Sequence, residues 1–216
     1  MKKGKFIVFE GLDGTGKTTQ IRLLAKALEA QGETVFVTAE PTDFPSGKLI
    51  RRVLSGEVPS TPWSTAALFL ADRIRHCADP ENGIAVHLAA GETVITDRYY
   101  FSTFAYQGYE TDLDWTMRMH YDCPELIRPD LVLFLTMPAE KCMARITAGR
   151  PAEAIEIYEN TESLAKISRQ FDRVFDRLKD RENVVYIDAD GTVEEVAERV
   201  RAALPIIPKG KRHESH

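Results

Sequence analysis

Gly11, Leu12, Asp13, Gly14, Thr15, Gly16, Lys17 and Thr18 follow the spacing G-x-x-x-x-G-K-S/T, a set of residue types suited to holding a phosphate chain. The glycines permit backbone angles that a Cβ would forbid, so successive N–H groups turn inward around an anion. In such a loop the lysine, here Lys17, reaches the β and γ phosphates, and the Thr18 hydroxyl is a ligand for Mg²⁺. A second pair, Asp97 and Arg98, closes the apolar run 93–96 and would set a metal partner and an anion ligand at the carboxyl edge of a sheet. The loop works only between a strand and a helix N-terminus. Phe6, Ile7, Val8 and Phe9 supply the strand, and residues 19–30 carry Ile21, Leu24 and Leu28 at helical spacing.

Further short β-rich runs alternate with helical patterns. Residues 5–10, 34–39, 93–97, 130–136 and 183–188 read as five strands, and runs joined by helical crossovers imply an α/β fold, a five-stranded parallel sheet sandwiched by helices. A helix over 63–75 opens after Pro62 and places Phe69 and Arg73 four residues apart on one face. Thr147, Ala148, Gly149, Arg150 and Pro151 combine turn residues with a base, which predicts a short lid over about 146–157 before a long helix over 158–181. Residues 1–204 are expected to form a single domain, with 205–216 a frayed tail. The 216 residues, 44% hydrophobic and 28% charged, suffice for one full core.

Charge and composition exclude several classes. A net charge of −5 argues against a nucleic-acid polymer as partner and leaves room for a local basic pocket. Three scattered cysteines, Cys77, Cys123 and Cys142, suit reduced thiols rather than a disulfide framework. No apolar run approaches the roughly 18 residues of a membrane span, and the start lacks a signal-peptide pattern, so a cytoplasmic location is expected. A guanine-binding switch protein would carry Asn-Lys-x-Asp, but Asn82, Asn160 and Asn183 are followed by Gly, Thr and Val. Motor and transporter ATPases place an acid at the end of an apolar strand, whereas Leu131 to Leu135 run into Thr136, Met137 and Pro138; the acid is Asp97.

These motifs together resemble the thymidylate kinase family over nearly the whole chain. The resemblance rests on Phe9 to Gly14 before the lysine, on Glu40, Pro41, Thr42 and Asp43, and on Leu68 to Arg73. It is most specific in Asp97, Arg98, Tyr99, then Ser102, Thr103 and the run Ala105, Tyr106, Gln107, Gly108; Arg128, Pro129, Asp130 and Ile187, Asp188, Ala189 extend it. The family implies a P-loop nucleoside monophosphate kinase fold with a short lid, and transfer of the ATP γ-phosphoryl group to dTMP, giving dTDP and ADP for dTTP synthesis. It also implies a homodimer.

The same resemblance assigns residues. Gly11 to Thr19 would hold ATP, with Arg145 packing on adenine and Ala189 and Asp190 meeting the same base. Phe69 would stack on thymine while Arg73 donates to its O4, a division the i, i+4 geometry permits. Asp13 would accept from the sugar 3′-OH, and Arg98 would grip the acceptor phosphate as a bidentate donor. Glu40, Pro41, Ser102, Thr103, Tyr106 and Gln107 would line the acceptor pocket, and Tyr158 and Glu159 would cover it. Thr18 and Asp97 would serve the metal. A phosphate monoester is largely dianionic at neutral pH, so the acceptor needs no general base, and catalysis reduces to positioning and charge neutralisation by Lys17, Mg²⁺ and arginines.

The chain departs from the family pattern at several points. One branch carries an arginine after the acidic P-loop residue, where this chain has Gly14, so the compensating base is expected from the lid at Arg150. Ala39 stands where many members have arginine before Glu-Pro. The run 43–51 resembles the archaeal-type version, and Arg51 either adds to the phosphate pocket or is a solvated helix charge. Tyr100 and Phe101 read as core aromatics, Asp97 and Arg98 have a structural ion pair as their bland alternative, and His120 with Cys123 is too small a set for a zinc site. Two rival functions stay open on sequence: a deoxynucleoside kinase using Glu40 as base, and a nucleotide-binding regulatory protein without catalysis.

Overall fold

The computed structural model describes residues 4–149 and 160–204. Strands β1 (Phe6–Gly11), β2 (Val35–Ala39), β3 (Thr93–Asp97), β4 (Leu131–Thr136) and β5 (Val184–Asp188) form one sheet in the order β2-β3-β1-β4-β5. Every pairing is parallel. All five fall within a residue of the positions expected from the apolar runs. The centre is dry: β1 is wholly buried, whereas edge strands β2 and β5 expose Val37 and Tyr186. That difference follows from helices covering both faces of the middle but not the open edges.

Right-handed crossovers decide which face each helix takes. The chain leaves β1 toward one edge through α1 (Lys17–Glu29) and moves back across the sheet through every later connection. Thus α1 packs with the C-terminal α9 (Val193–Ala203), while α5 (Tyr100–Glu110) packs with α8 (Thr161–Leu178). The helices α2 (Pro45–Leu54), α3 (Pro62–Ala78) and α4 (Ile84–Ala89) join β2 to β3, α6 (Leu113–Tyr121) follows α5, and α7 (Ala139–Gly149) precedes α8. α8 buries Leu164, Ile167, Phe171, Val174, Phe175 and Leu178, an apolar stripe at helical spacing that meets the sheet and α5.

Three helix boundaries differ from expectation. α3 begins at Pro62, capped by the Thr61 hydroxyl accepting from the Ser64 N–H, and runs on to Ala78. α7 continues through Thr147 and Ala148 to Gly149, so the helical region is not interrupted at 147; the Thr147 hydroxyl bonds back to the Met143 and Ala144 carbonyls and stays within the helix. α8 starts at Thr161 rather than 158, because the Asn160 side chain accepts from the Ser163 N–H, and it ends at Leu178. Of the expected lid, 146–149 belong to α7 and 150–157 lie outside the described residues, as do 205–216. No described helix is long and apolar enough to cross a membrane.

Candidate active site

β1 ends against the loop and α1 begins at Lys17, so the first-turn N–H groups face the space above the sheet. Gly16 sits at φ 94° and Gly14 at φ 84°, conformations that L side chains rarely adopt. A Cβ on Gly14 would stand 2.4 Å from the Cys142 carbonyl oxygen of α7, so this backbone has no room for the arginine found there in another branch. The Lys17 ammonium lies over the loop, 3.0 Å from the Gly11 and 3.2 Å from the Leu12 carbonyl oxygen, and 3.6 Å from Asp13 Oδ1.

Asp97 closes β3 beside Phe9 of β1. Its Oδ2 accepts from the Thr18 hydroxyl at 3.0 Å, while Oδ1 is buried without a hydrogen-bond partner. An orphaned carboxylate oxygen beside a hydroxyl fits a hard divalent cation, and because no cluster of three or more His, Cys, Asp or Glu side chains suited to a metal occurs among the described residues, such an ion would draw its other ligands from phosphate and water. A cleft of about 660 Å³ lined by Thr18, Asp97, Pro41, Thr42 and Arg51 opens beside the pair. Arg51 faces it with its guanidinium donating to the Thr42 and Pro41 carbonyls at 2.7 and 2.6 Å.

Asp97 and Arg98 do not pair with each other. Arg98 adopts φ 71°, a left-handed conformation rare for a residue with a side chain, and its N–H donates to Phe9 O. That turn sends the guanidinium away from Asp97: Nη2 meets Asp13 Oδ1 at 2.7 Å, and Nη1 donates to Ser102 Oγ at 2.9 Å. The Tyr106 ring lies under the guanidinium, 5.4 Å from centroid to carbon. Behind this group stands Glu10, fully buried at the end of β1, whose carboxylate accepts from the Tyr99 and Ser102 N–H groups and from Ser102 Oγ at 2.7 Å. Its oxygens face the N-terminus of α5, where a carboxylate is favoured. Burial lifts its carboxyl above the ordinary range, against the opposing pull of Arg98 and those hydrogen bonds.

A second buried group surrounds Arg73. Its Nε donates to Glu40 Oε2 at 2.8 Å, Nη2 stands in an ion pair 2.5 Å from the same oxygen, and Nη1 meets Thr103 Oγ1 at 3.2 Å and His120 Nε2 at 2.6 Å. Glu40 Oε1 is taken by His76 Nδ1 at 2.9 Å. Phe69, half-buried, lies one turn before Arg73 on α3, and Gln107 is buried on α5. Tyr100 and Phe101 are core aromatics.

On the other side of the loop, Ala189 and Asp190 follow β5. Asp190 pairs with Lys141 of α7 at 2.5 Å, and Arg199 Nη1 donates to the Asp188 and Asp190 carbonyls. Arg145 is exposed on α7. The expected site residues Arg150, Tyr158 and Glu159 lie outside the described residues. Sequence reasoning passed over Glu10, His76 and Arg199. For Glu10 there was a signal, an acid ending an otherwise apolar strand; for the other two, nothing local says what they face.

The loop that would hold a donor and the pocket that would hold an acceptor share one wall, since Asp13 belongs to the loop and Arg98 holds it from the pocket side. A sheet ordered 2-3-1-4-5 carries that wall at its carboxyl edge, and together they define a P-loop nucleotide phosphotransferase of the nucleoside monophosphate kinase type. Comparison with known proteins narrows the class. A family model described as thymidylate kinase matches residues 9–200. A thymidylate kinase of Pelotomaculum thermopropionicum is 39% identical over 211 residues, covering 90% of this chain and 94% of its own, and one of Desulfotalea psychrophila is 39% identical over 175 residues, covering 78% and 80%. The chain belongs to the thymidylate kinase family.

Proposed function

We propose that this enzyme transfers the γ-phosphoryl group of ATP to dTMP, yielding dTDP and ADP, and that the site residues act as follows. The N–H groups of Gly11 to Thr19 cradle the ATP phosphates, and Lys17 shifts from the loop carbonyls to the β and γ oxygens. Thr18 and Asp97 would hold Mg²⁺, which would supply positive charge against the phosphates. Arg98 holds the acceptor phosphate, and Asp13 accepts from the 3′-OH of the same nucleotide. Ser102, Thr103, Tyr106 and Gln107 line the sugar and base, with Phe69 stacked on the ring and Arg73 donating to O4. Arg145, Ala189 and Asp190 hold adenine. Arg150 supplies the positive charge that Gly14 does not; Arg150→Ala is expected to lower kcat by about 10³-fold with dTMP KM little changed. Tyr158 and Glu159 cover the acceptor.

The observation that carries this reading is the 2.7 Å contact between Asp13 and Arg98, which ties the donor loop to the acceptor side. The deoxynucleoside kinase alternative needs Glu40 as a base, yet Glu40 Oε2 is already bound by the Arg73 guanidinium through a hydrogen bond and an ion pair, and Oε1 by His76. A carboxylate so committed works as a clamp. Turnover of thymidine but not dTMP would overturn the proposal; ATP and dTMP binding without turnover in Mg²⁺ would favour the regulatory alternative.

We read the enzyme further as a homodimer. α3 presents Trp63, Ala67 and Ala71 to solvent with Leu70 and Ile74 half-buried, and Trp63 packs on Trp115 of α6 with ring centroids 4.8 Å apart. This apolar face on α3 and α6 suits an isologous partner. The unpaired thiols of Cys77, Cys123 and Cys142 suit the reducing cytoplasm.

A further inference from the structure

His120 is set in α6, four elements along the chain from the α3 of Arg73, yet its ring nitrogen lies 2.6 Å from the buried Arg73 guanidinium. The two neighbours of the imidazole settle its protonation. Arg73 Nη1 can only donate, so Nε2 must present its lone pair; the Thr116 carbonyl, 2.8 Å from Nδ1, can only accept, so Nδ1 carries the proton. Burial, reinforced by the charge on Arg73, holds the imidazole well below its ordinary range and therefore neutral. The ring is fixed further by Phe104, perpendicular to it at 5.3 Å, and by Tyr100.

Counting hydrogens on Arg73 shows what this fixing achieves. A guanidinium has five N–H donors in a rigid plane. Nε donates to Glu40 Oε2, Nη2 faces the same oxygen with one edge in an ion pair at 2.5 Å, and the two Nη1 hydrogens go to Thr103 and His120. The Tyr99 ring, 5.2 Å away, lies against the guanidinium. One Nη2 hydrogen is left. Acceptors from α5, α6 and the loop after β2 thus set the plane and direction of a single remaining donor. A donor so aimed suits a carbonyl and is mismatched to an amine.

We infer that His120 is a positioning residue for base recognition: by accepting from Nη1 it aims the last donor of Arg73, so that the enzyme favours pyrimidine monophosphates with a 4-oxo group over those with a 4-amino group. The inference rests on the proposed role of Arg73 as base reader. Glu40 alone would leave the guanidinium free to pivot about its Oε2, since both its contacts share that one atom; the acceptors at Nη1, on the far side of the plane, remove that freedom.

The test compares steady-state kinetics on dTMP and dCMP with ATP for the wild type, His120→Leu, His120→Asn and His120→Gln. Leucine removes both polar links, asparagine keeps a donor near Thr116 but has no acceptor at the Nε2 position, and glutamine can restore that acceptor. The Leu and Asn variants are expected to raise the KM for dTMP about tenfold, leave the KM for ATP and kcat near wild type, and narrow the dTMP to dCMP ratio of kcat/KM about tenfold. The Gln variant is expected within about threefold of wild type. Unchanged KM and ratio in the Leu and Asn variants would overturn the inference, as would a Gln variant behaving like Leu, or a parallel loss in every constant. Arg73→Leu separates the two layers: if it leaves the ratio intact, the base-reader role falls, and if it narrows the ratio while His120 variants do not, only the inference about His120 falls. Should the Leu variant fail to fold, the Asn and Gln pair decides. Nitrogen NMR of the wild-type holds independently of any variant: a neutral His120 ring protonated at Nδ1 is expected, and a charged or Nε2-protonated ring would contradict the assignment.

Discussion

Asp97 gives one oxygen to a hydroxyl and leaves the other without a hydrogen-bond partner among the described residues, a division that suits a metal-holding carboxylate. Asp97→Asn retains an oxygen for Thr18 but loses the charge, so kcat is expected to fall on the order of 10²-fold and half-saturation by Mg²⁺ to rise, read by metal titration at saturating ATP and dTMP. Unaltered Mg²⁺ dependence would remove Asp97 from the metal site. The thiols give a second expectation. Cys77 and Cys142 are buried, and burial pushes each thiol from 9.0 up to about 11, whereas Cys123 is half-buried at the end of α6. At pH 8 a thiol reagent is expected to label Cys123 quickly and the other two only on unfolding. Because the folded values are raised, the unfolded chain ionises first: this part of the stability is complete below pH 9 and lost as the pH rises toward 11. Denaturant titrations across that window check it, with a Cys77→Ala, Cys142→Ala double variant expected to show the shallower decline. Lys17, Thr18, Asp97 and Arg98 were legible because each follows directly from a motif of fixed spacing. His120 and Glu10 were not, since their roles depend on which helix end or side chain the fold brings opposite them.

The elements show why some motif positions admit no substitute. The positive φ of Gly14 and the closeness of α7 act together, so Gly14→Ala is expected to lower the melting temperature by several degrees and raise the KM for ATP, measured by calorimetry and kinetics. A melting temperature equal to wild type would mean that α7 yields easily. Glu10 joins β1 to the start of α5 and carries Ser102 with it, so Glu10→Gln, which keeps the shape but not the charge, is expected to weaken the grip on the acceptor phosphate, raising dTMP KM more than ATP KM. Strand positions were readable from apolar runs because burial on both faces leaves an uninterrupted signal, as in Leu131 to Leu135. Helix ends were harder. Thr147 looked like a breaker, but its hydroxyl folds back on its own helix, and Asn160 proved to be the cap that starts α8.

At the scale of the molecule, one sheet edge gathers residues from β1, β3 and the segments after β2 and β5 above a buried centre, where a donor and an acceptor would meet. Parallel strands with helical crossovers made the sheet legible in sequence, but its order was fixed only by which strands pair. The exposed face of α3 and α6 belongs to this scale too. Trp63→Asp and Ala71→Glu together are expected to convert a dimer to a monomer by light scattering; a monomeric wild type would refute the dimer reading. Asp13 and Arg98 are expected to serve a nucleoside monophosphate. The most direct test of this role offers the purified enzyme thymidine, dTMP, dUMP, dCMP and dGMP with ATP and Mg²⁺ and follows ADP formation. Turnover highest with dTMP and absent with thymidine is the predicted result, and phosphorylation of thymidine without turnover of dTMP would contradict it.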